Sequence, residues 1–173
     1  MKLKLLIITL LLAMPVSNAI AQESATVIMD RAFAQAKKEN KNVFVMFHAS
    51  WCGWCKKMEK NMQADGTKKL FDDNYVSTQL TVQESPKNKA LENPGADVLL
   101  AKYKGSDAGL PFWIILDAKG NVLADSFDAK GENIGCPGSE AEVAAFTAKL
   151  KKTSKLTAAQ LAVISQVFTI KKA

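Results

Sequence analysis

Along the first third of the chain, apolar positions recur at helical spacing and then close up into an unbroken run. Ile28, Ala32, Phe33 and Ala36 repeat at helical spacing within residues 24–40, which predicts an amphipathic helix. Ser24 offers an acceptor to the first-turn amides, Lys37 and Lys38 fall where cations suit the helix dipole, and Asn40 can end the segment. Residues 43–48, V-F-V-M-F-H, are apolar on both alternating faces, as in a central strand covered from each side. From Cys55 the spacing turns helical again, with Met58 and Met62 behind it; Gly66 is expected to break this helix and residues 68–74 to resume it.

Residues 75–82 alternate weakly through Val76, Leu80 and Val82, which predicts a second strand. The polar stretch 85–95 carries two prolines and is expected to be loop, and 96–103 a short helix ending at Gly105. Residues 112–116 and 122–127 are β-rich runs on either side of Asp117-Ala-Lys-Gly-Asn121, a hairpin pattern. A glycine-rich loop, 129–138, carries Cys136, and a helix over 139–152 aligns Val143, Phe146 and Leu150. Thr157 and Gln160 match a capping box, and Leu161, Ile164 and Phe168 behind it form a stripe that needs an apolar partner, expected to be its own domain. No internal repeat or low-complexity tract interrupts this order.

The start of the chain has a different character. Residues 1–21 read as a secretory signal peptide, with Lys2 and Lys4, an apolar core over 5–14, Pro15, and the small-residue exit Ala19-Ile20-Ala21. Cleavage is expected after Ala21, and no cysteine near it offers a lipoprotein attachment site. The apolar core is shorter than the roughly 20 residues that span a bilayer, so no stable membrane insertion is expected after cleavage, and the location is periplasmic or secreted. About 150 residues then remain, enough for one domain with a true core. The formal charge of the whole chain is +6. Its lysines come in scattered pairs without interleaved aromatics or arginine clusters, which marks solvated helix faces and gives nucleic-acid binding no support.

Chemistry concentrates in H-A-S-W-C-G-W-C-K-K, residues 48–57. Two of the three cysteines stand there, and a stapling framework would need an even set spread along the chain. Cys52 sits where a buried strand gives way to a helix, so unpaired amides at the helix start favour its thiolate and lower its pKa. Cys55 lies one turn inside, expected to be the more buried, and is placed to resolve a mixed disulfide formed at Cys52; such exchange needs no metal or organic cofactor. Lys56 and Lys57 add positive charge nearby. Three other readings compete. Cys52, Cys55, Cys136 and His48 could supply a zinc set or make the protein a metal carrier, although tetrahedral zinc sites usually show two clear ligand pairs. Lys56 stands where haem attachment requires histidine. An inert disulfide would close so small a loop that it adds little loop-closure entropy.

The motif W-C-G-W-C-K-K-M, preceded by V-F-V-M-F and followed by G-L-P-F-W-I-I-L-D-A-K-G-N-V, resembles the thioredoxin superfamily, and within it the exported bacterial thioredoxin-like thiol–disulfide oxidoreductases. The resemblance implies an α/β thioredoxin fold, a central mixed β-sheet of four or five strands flanked by helices. It divides the chain into the signal peptide, a thioredoxin-like domain over 22–152, and an additional C-terminal helix over 153–173 packed on it. It also implies a Cys52–Cys55 disulfide, a cis Pro111 facing the pair, a Leu110 backbone offered to a bound peptide, and Trp51, Gly53 and Trp54 around the substrate. Partners would be protein or peptide thiols and disulfides, with a membrane or soluble redox partner. A reductase role leads, with isomerase and oxidase open; the alternative from another class is a non-enzymatic peptide-binding module. Three departures stand out. Met46 fills the position of a buried family acid, which leaves the sole histidine, His48, as a candidate base or mere packing. Trp54 replaces the proline of reducing thioredoxins. Cys136 lies in a loop that approaches the active site in the family, either as an auxiliary thiol or as a small buried residue.

Overall fold

The computed structural model describes residues 22–170, so the expected signal peptide lies outside the described residues. In chain order the elements are α1 (Ala25–Glu39), β1 (Asn42–His48), α2 (Gly53–Met62), α3 (Lys68–Asn74), β2 (Tyr75–Thr81), α4 (Ala96–Lys102), β3 (Phe112–Leu116), β4 (Val122–Asp125), α5 (Glu140–Thr153) and α6 (Ala158–Phe168). The strands form one sheet in the order β2-β1-β3-β4. β1 runs parallel to β2, with Val43 opposite Val76 and Phe47 opposite Leu80, and antiparallel to β3, with Val45 opposite Ile114. β4 pairs antiparallel with β3. This is the mixed α/β sheet implied by the resemblance, with four strands.

Alternation along β1 and β3 explains why helices cover both faces. Phe44, Met46, Trp113 and Ile115 project to one side and meet Met58 and Met62 of α2, Phe71 of α3 and the apolar stripes of α5 and α6. Val43, Val45, Phe47, Phe112, Ile114 and Leu116 project to the other and meet α1 and α4. Burial of both faces removes large apolar areas from water at about 25 cal/mol per Å², which makes the β1–β3 pair the centre of the domain.

The tail stripe finds its surface on the same domain. Thr157 and Gln160 form the capping box of α6, and Leu161, Ile164 and Phe168 are buried. The Phe168 ring lies 5.1 Å from that of Phe146 and 6.4 Å from that of Phe71.

Several boundaries differ from the periodicity reading. The buried stripe of α1 is Ala25, Met29, Ala32 and Ala36, while Ile28 and Phe33 pack at its margin, because the small residues allow the helix close to the sheet. α2 stops at Met62, four residues before Gly66, and the Thr67 hydroxyl donates to the carbonyl of Asn61 in the turn that follows. Within the stretch expected to be loop, Pro86–Leu91 forms a 3₁₀ helix with proline in its first turn, where no amide is needed. β4 ends at Asp125, whose carboxylate accepts from the Phe127 amide and turns the chain away.

Candidate active site

Cys52 is the N-cap of α2: its backbone is extended, and its sulfur accepts from the Cys55 N–H at 3.1 Å. The cap arises because β1 ends at His48 and a short turn, closed by the Cys52 N–H on the Ala49 carbonyl at 3.0 Å, delivers Gly53 as the first helical residue. Cys52 and Cys55 are joined, with S–S 2.00 Å. Ala49, the two cysteines and Leu110 make a small apolar cluster of their own. Cys52 is 3% exposed and Cys55 2%, so burial does not rank the two sulfurs as expected; their distinction is positional, one at the helix cap and one inside the first turn. A pair in this setting can take up or deliver two electrons by making and breaking one S–S bond.

The turn carrying Cys52 is clamped by a segment in which the sequence marked no site residue. Glu84 is only 6% exposed, and its carboxylate accepts from the Ser50 N–H at 2.5 Å and the Ser50 hydroxyl at 2.7 Å. Burial alone would raise the Glu84 pKa, but these bonds outweigh it and hold the carboxyl below its usual range. The Trp51 indole donates to the Gln83 carbonyl at 2.8 Å. A signal existed in the sequence: two parallel strands end side by side, so residues just past the second strand must lie beside the turn after the first. Trp51 is thereby tied toward the β2 edge, whereas Trp54 stands over the groove beside Pro111, with the Lys57 ammonium 5.0 Å from its ring centre.

The Leu110–Pro111 peptide bond is cis, and Gly109 enters it at φ +78, which the absence of a Cβ permits. Asn133 fastens the neighbouring loop along this segment, its amide donating to the carbonyls of Ala108, Gly109 and Pro111 at 3.0 to 3.1 Å. The Trp113 indole adds a bond to the Gly135 carbonyl at 2.9 Å. Together they bring Cys136 to a groove of about 300 Å³ shared with Trp54, Leu110 and Pro111. Cys136 is free and buried, and burial pushes its thiol up to about 11, with Lys57 opposing and Glu142 adding to the rise. It is a neutral thiol at physiological pH.

His48 is held by the neighbouring strand. Its Nε2 lies 3.2 Å from the Thr81 hydroxyl across the β1–β2 pairing. Burial lowers its pKa, against the pull of Glu59 and Glu84, so the ring is neutral at neutral pH. Met46 is buried in the apolar core and offers no proton acceptor. Among the described residues no three His, Cys, Asp or Glu side chains gather into a group able to hold a metal ion, so the Cys₃His set is not assembled. No helix among them is long and apolar enough to cross a membrane.

The chain is similar to several known proteins. A disulphide isomerase from Xylella fastidiosa Temecula1 is 18% identical, with 66% of this chain and 79% of that chain covered and a TM-score of 0.49. The C-terminal domain of Neisseria meningitidis DsbD in the oxidised form is 21% identical, covering 61% of this chain and 84% of that one, at a TM-score of 0.43. Protein disulfide-isomerase A5 of Bos taurus is 39% identical over 64 residues, 37% of this chain; the match spans only 12% of that relative's length. Residues 25–118, from α1 through the cysteine pair and past β3, match the family model described as thioredoxin-like, and the chain therefore belongs to the thioredoxin-like family.

Proposed function

We propose that the protein is an exported thiol–disulfide oxidoreductase that reduces disulfides of proteins or peptides through Cys52 and Cys55. The observation that carries this reading is the sulfur of Cys52 capping α2, where the helix start favours negative charge. In the reduced protein the Cys52 thiolate attacks a substrate disulfide, forming a Cys52–substrate S–S bond while the other substrate sulfur leaves as a thiolate and takes up a proton. Cys55 then loses its proton and attacks Cys52 Sγ, releasing the second substrate thiol and closing the Cys52–Cys55 disulfide. A dithiol partner, membrane-bound or soluble, restores the reduced pair by the reverse exchange. Leu110 supports the substrate: among the described residues, the backbone bonds outside helices and strands involve neither its N–H nor its C=O, which leaves both free for an extended peptide. Trp54 flanks the same path, and Pro111 fixes its direction. His48 and Cys136 have supporting places only. The sequence of residues 1–21 supports action in the periplasm or outside the cell.

The reading is tested by alkylating the reduced protein across pH. Cys52 is expected to react with an apparent pKa well below the roughly 8.5 of a free thiol, and Cys55→Ser to trap a mixed disulfide with substrate. The reductase direction predicts a reduction potential more negative than the about −180 mV of protein disulfide isomerase when equilibrated with glutathione. Ordinary thiol behaviour at position 52, together with no disulfide turnover, would leave the binding-module alternative standing instead.

A further inference from the structure

We propose that Ile170 and Trp54 form two walls of a side-chain site beside the cysteine pair, and that this site selects substrates carrying an apolar residue next to the cysteine under attack. The proposal rests on the redox reading above and names its specificity.

Ile170 reaches the groove because the end of α6 is anchored. Phe168 is 1% exposed, the Thr169 N–H closes on the Ser165 carbonyl, and the Ile170 N–H donates to the Gly138 carbonyl at 2.9 Å. The fit is close: a Cβ at Gly138 would stand 2.6 Å from Ile170 Cδ1 and 3.2 Å from its Cγ1, so glycine there is what seats the isoleucine. Yet Ile170 remains 45% exposed and Trp54 53%. Both line the groove of about 300 Å³ that includes Leu110 and Pro111. That space corresponds to about ten waters, and an apolar side chain laid against Ile170 and Trp54 would release those on the two apolar walls.

The polar groups at the rim are engaged in part by the protein's own backbone. The Asn133 amide is spent on three carbonyls. The Glu142 carboxylate accepts from the Gly138 and Ser139 amides at 3.0 and 2.9 Å. The Asn133 amide hydrogens are thereby committed, and the negative charge that Glu142 keeps disfavours an acidic side chain in the groove. The occupant is a peptide rather than a second copy of the chain, because the groove includes Leu110, whose backbone is open and which packs against Cys52 and Cys55. An extended strand lying there points successive side chains to opposite sides, so one neighbour of its cysteine enters the groove.

The test uses the reduced protein and synthetic peptides whose single cysteine is held in a mixed disulfide with a chromophoric thiol. Cys52 attacks the peptide sulfur, the chromophore leaves as its thiolate, and Cys55 then releases the peptide thiol and closes the Cys52–Cys55 disulfide, so the second-order rate constant of this single turnover is read from colour. Leu, Ser and Asp are placed in turn at each residue flanking the cysteine, and the symmetrical chromophore disulfide, which carries no flanking residue, serves as control. Wild type is expected to prefer Leu over Ser by about tenfold at one flanking position, and Ile170→Ser to reduce this below about threefold while the control rate is unchanged. Gly138→Ala should produce the same loss by unseating Ile170, and add nothing in an Ile170→Ala background. A flat peptide profile in wild type, or a Leu preference that survives Ile170→Ser, with the control reaction intact, overturns the proposal. Failure to react with the control as well overturns the redox reading and this proposal with it.

Discussion

Replacing Glu84 tests whether the turn before Cys52 is held by a buried carboxylate. Glu84→Ala removes two hydrogen bonds to Ser50, at 2.5 and 2.7 Å, and leaves the Ser50 amide without its acceptor. Bonds to a charged acceptor contribute about 1.5–3 kcal/mol each. Ser50 is half-buried, so water can partly replace the lost partner, and the lower end applies: about 3 kcal/mol for the pair. At about 2–4 °C per kcal/mol for a domain of this size, Tm should fall by roughly 6–12 °C. Glu84→Gln keeps one acceptor and should lose about 1 kcal/mol. Thermal and denaturant unfolding of the oxidised protein, followed by circular dichroism, measures both. The sign of the pH dependence is a second check. The folded pKa of Glu84 lies below 4.5, so its contribution is complete above 4.5 and is lost as pH falls through the folded value; Glu84→Ala should lack that acid limb. Glu84→Ala unfolding within about 0.5 kcal/mol of wild type, the ordinary range of surface substitutions, would refute the clamp.

Other outcomes follow from single side chains. Phe168→Ala, which empties a site between Phe71 and Phe146, should destabilise by about 3–5 kcal/mol in denaturant unfolding, and an effect below 1 kcal/mol would deny α6 its place in the core. His48 has a folded pKa below 6.5, so the unfolded chain takes up its proton first; stability should decline as pH falls below about 6.5, and His48→Gln should flatten the profile between pH 7 and the folded pKa. Cys136, with its thiol pushed up to about 11, should resist iodoacetamide in the native protein at pH 8 while reduced Cys52 is labelled, as read by peptide mapping.

What could be read along the chain was whatever depends on near neighbours. The two-faced apolar run of β1, the αL-forming Asn40 at the end of α1, and the Thr157–Gln160 box are set within a few residues, and each stands where the periodicity placed it. The cysteine pair at a strand-to-helix junction belongs to the same class, since helix-start amides act on whatever caps them. Gly66 shows the limit of such reasoning, because the helix before it ends earlier through bonds that glycine has no part in.

Long-range pairing decided the rest. The carboxylate of Glu84 meets Ser50 across 34 residues, and Asn133 gathers carbonyls 22 to 25 residues away. His48 and Met46 share a strand face, but the partner across the sheet turns the imidazole to Thr81. The equal burial of Cys52 and Cys55, the neutral thiol of Cys136 and the seating of Ile170 on Gly138 all depend on which surfaces close over them. Local spacing sets which face of an element is apolar and which residue caps it; solvent exclusion and hydrogen-bond partners belong to the assembled layers, and only the tertiary structure can supply them.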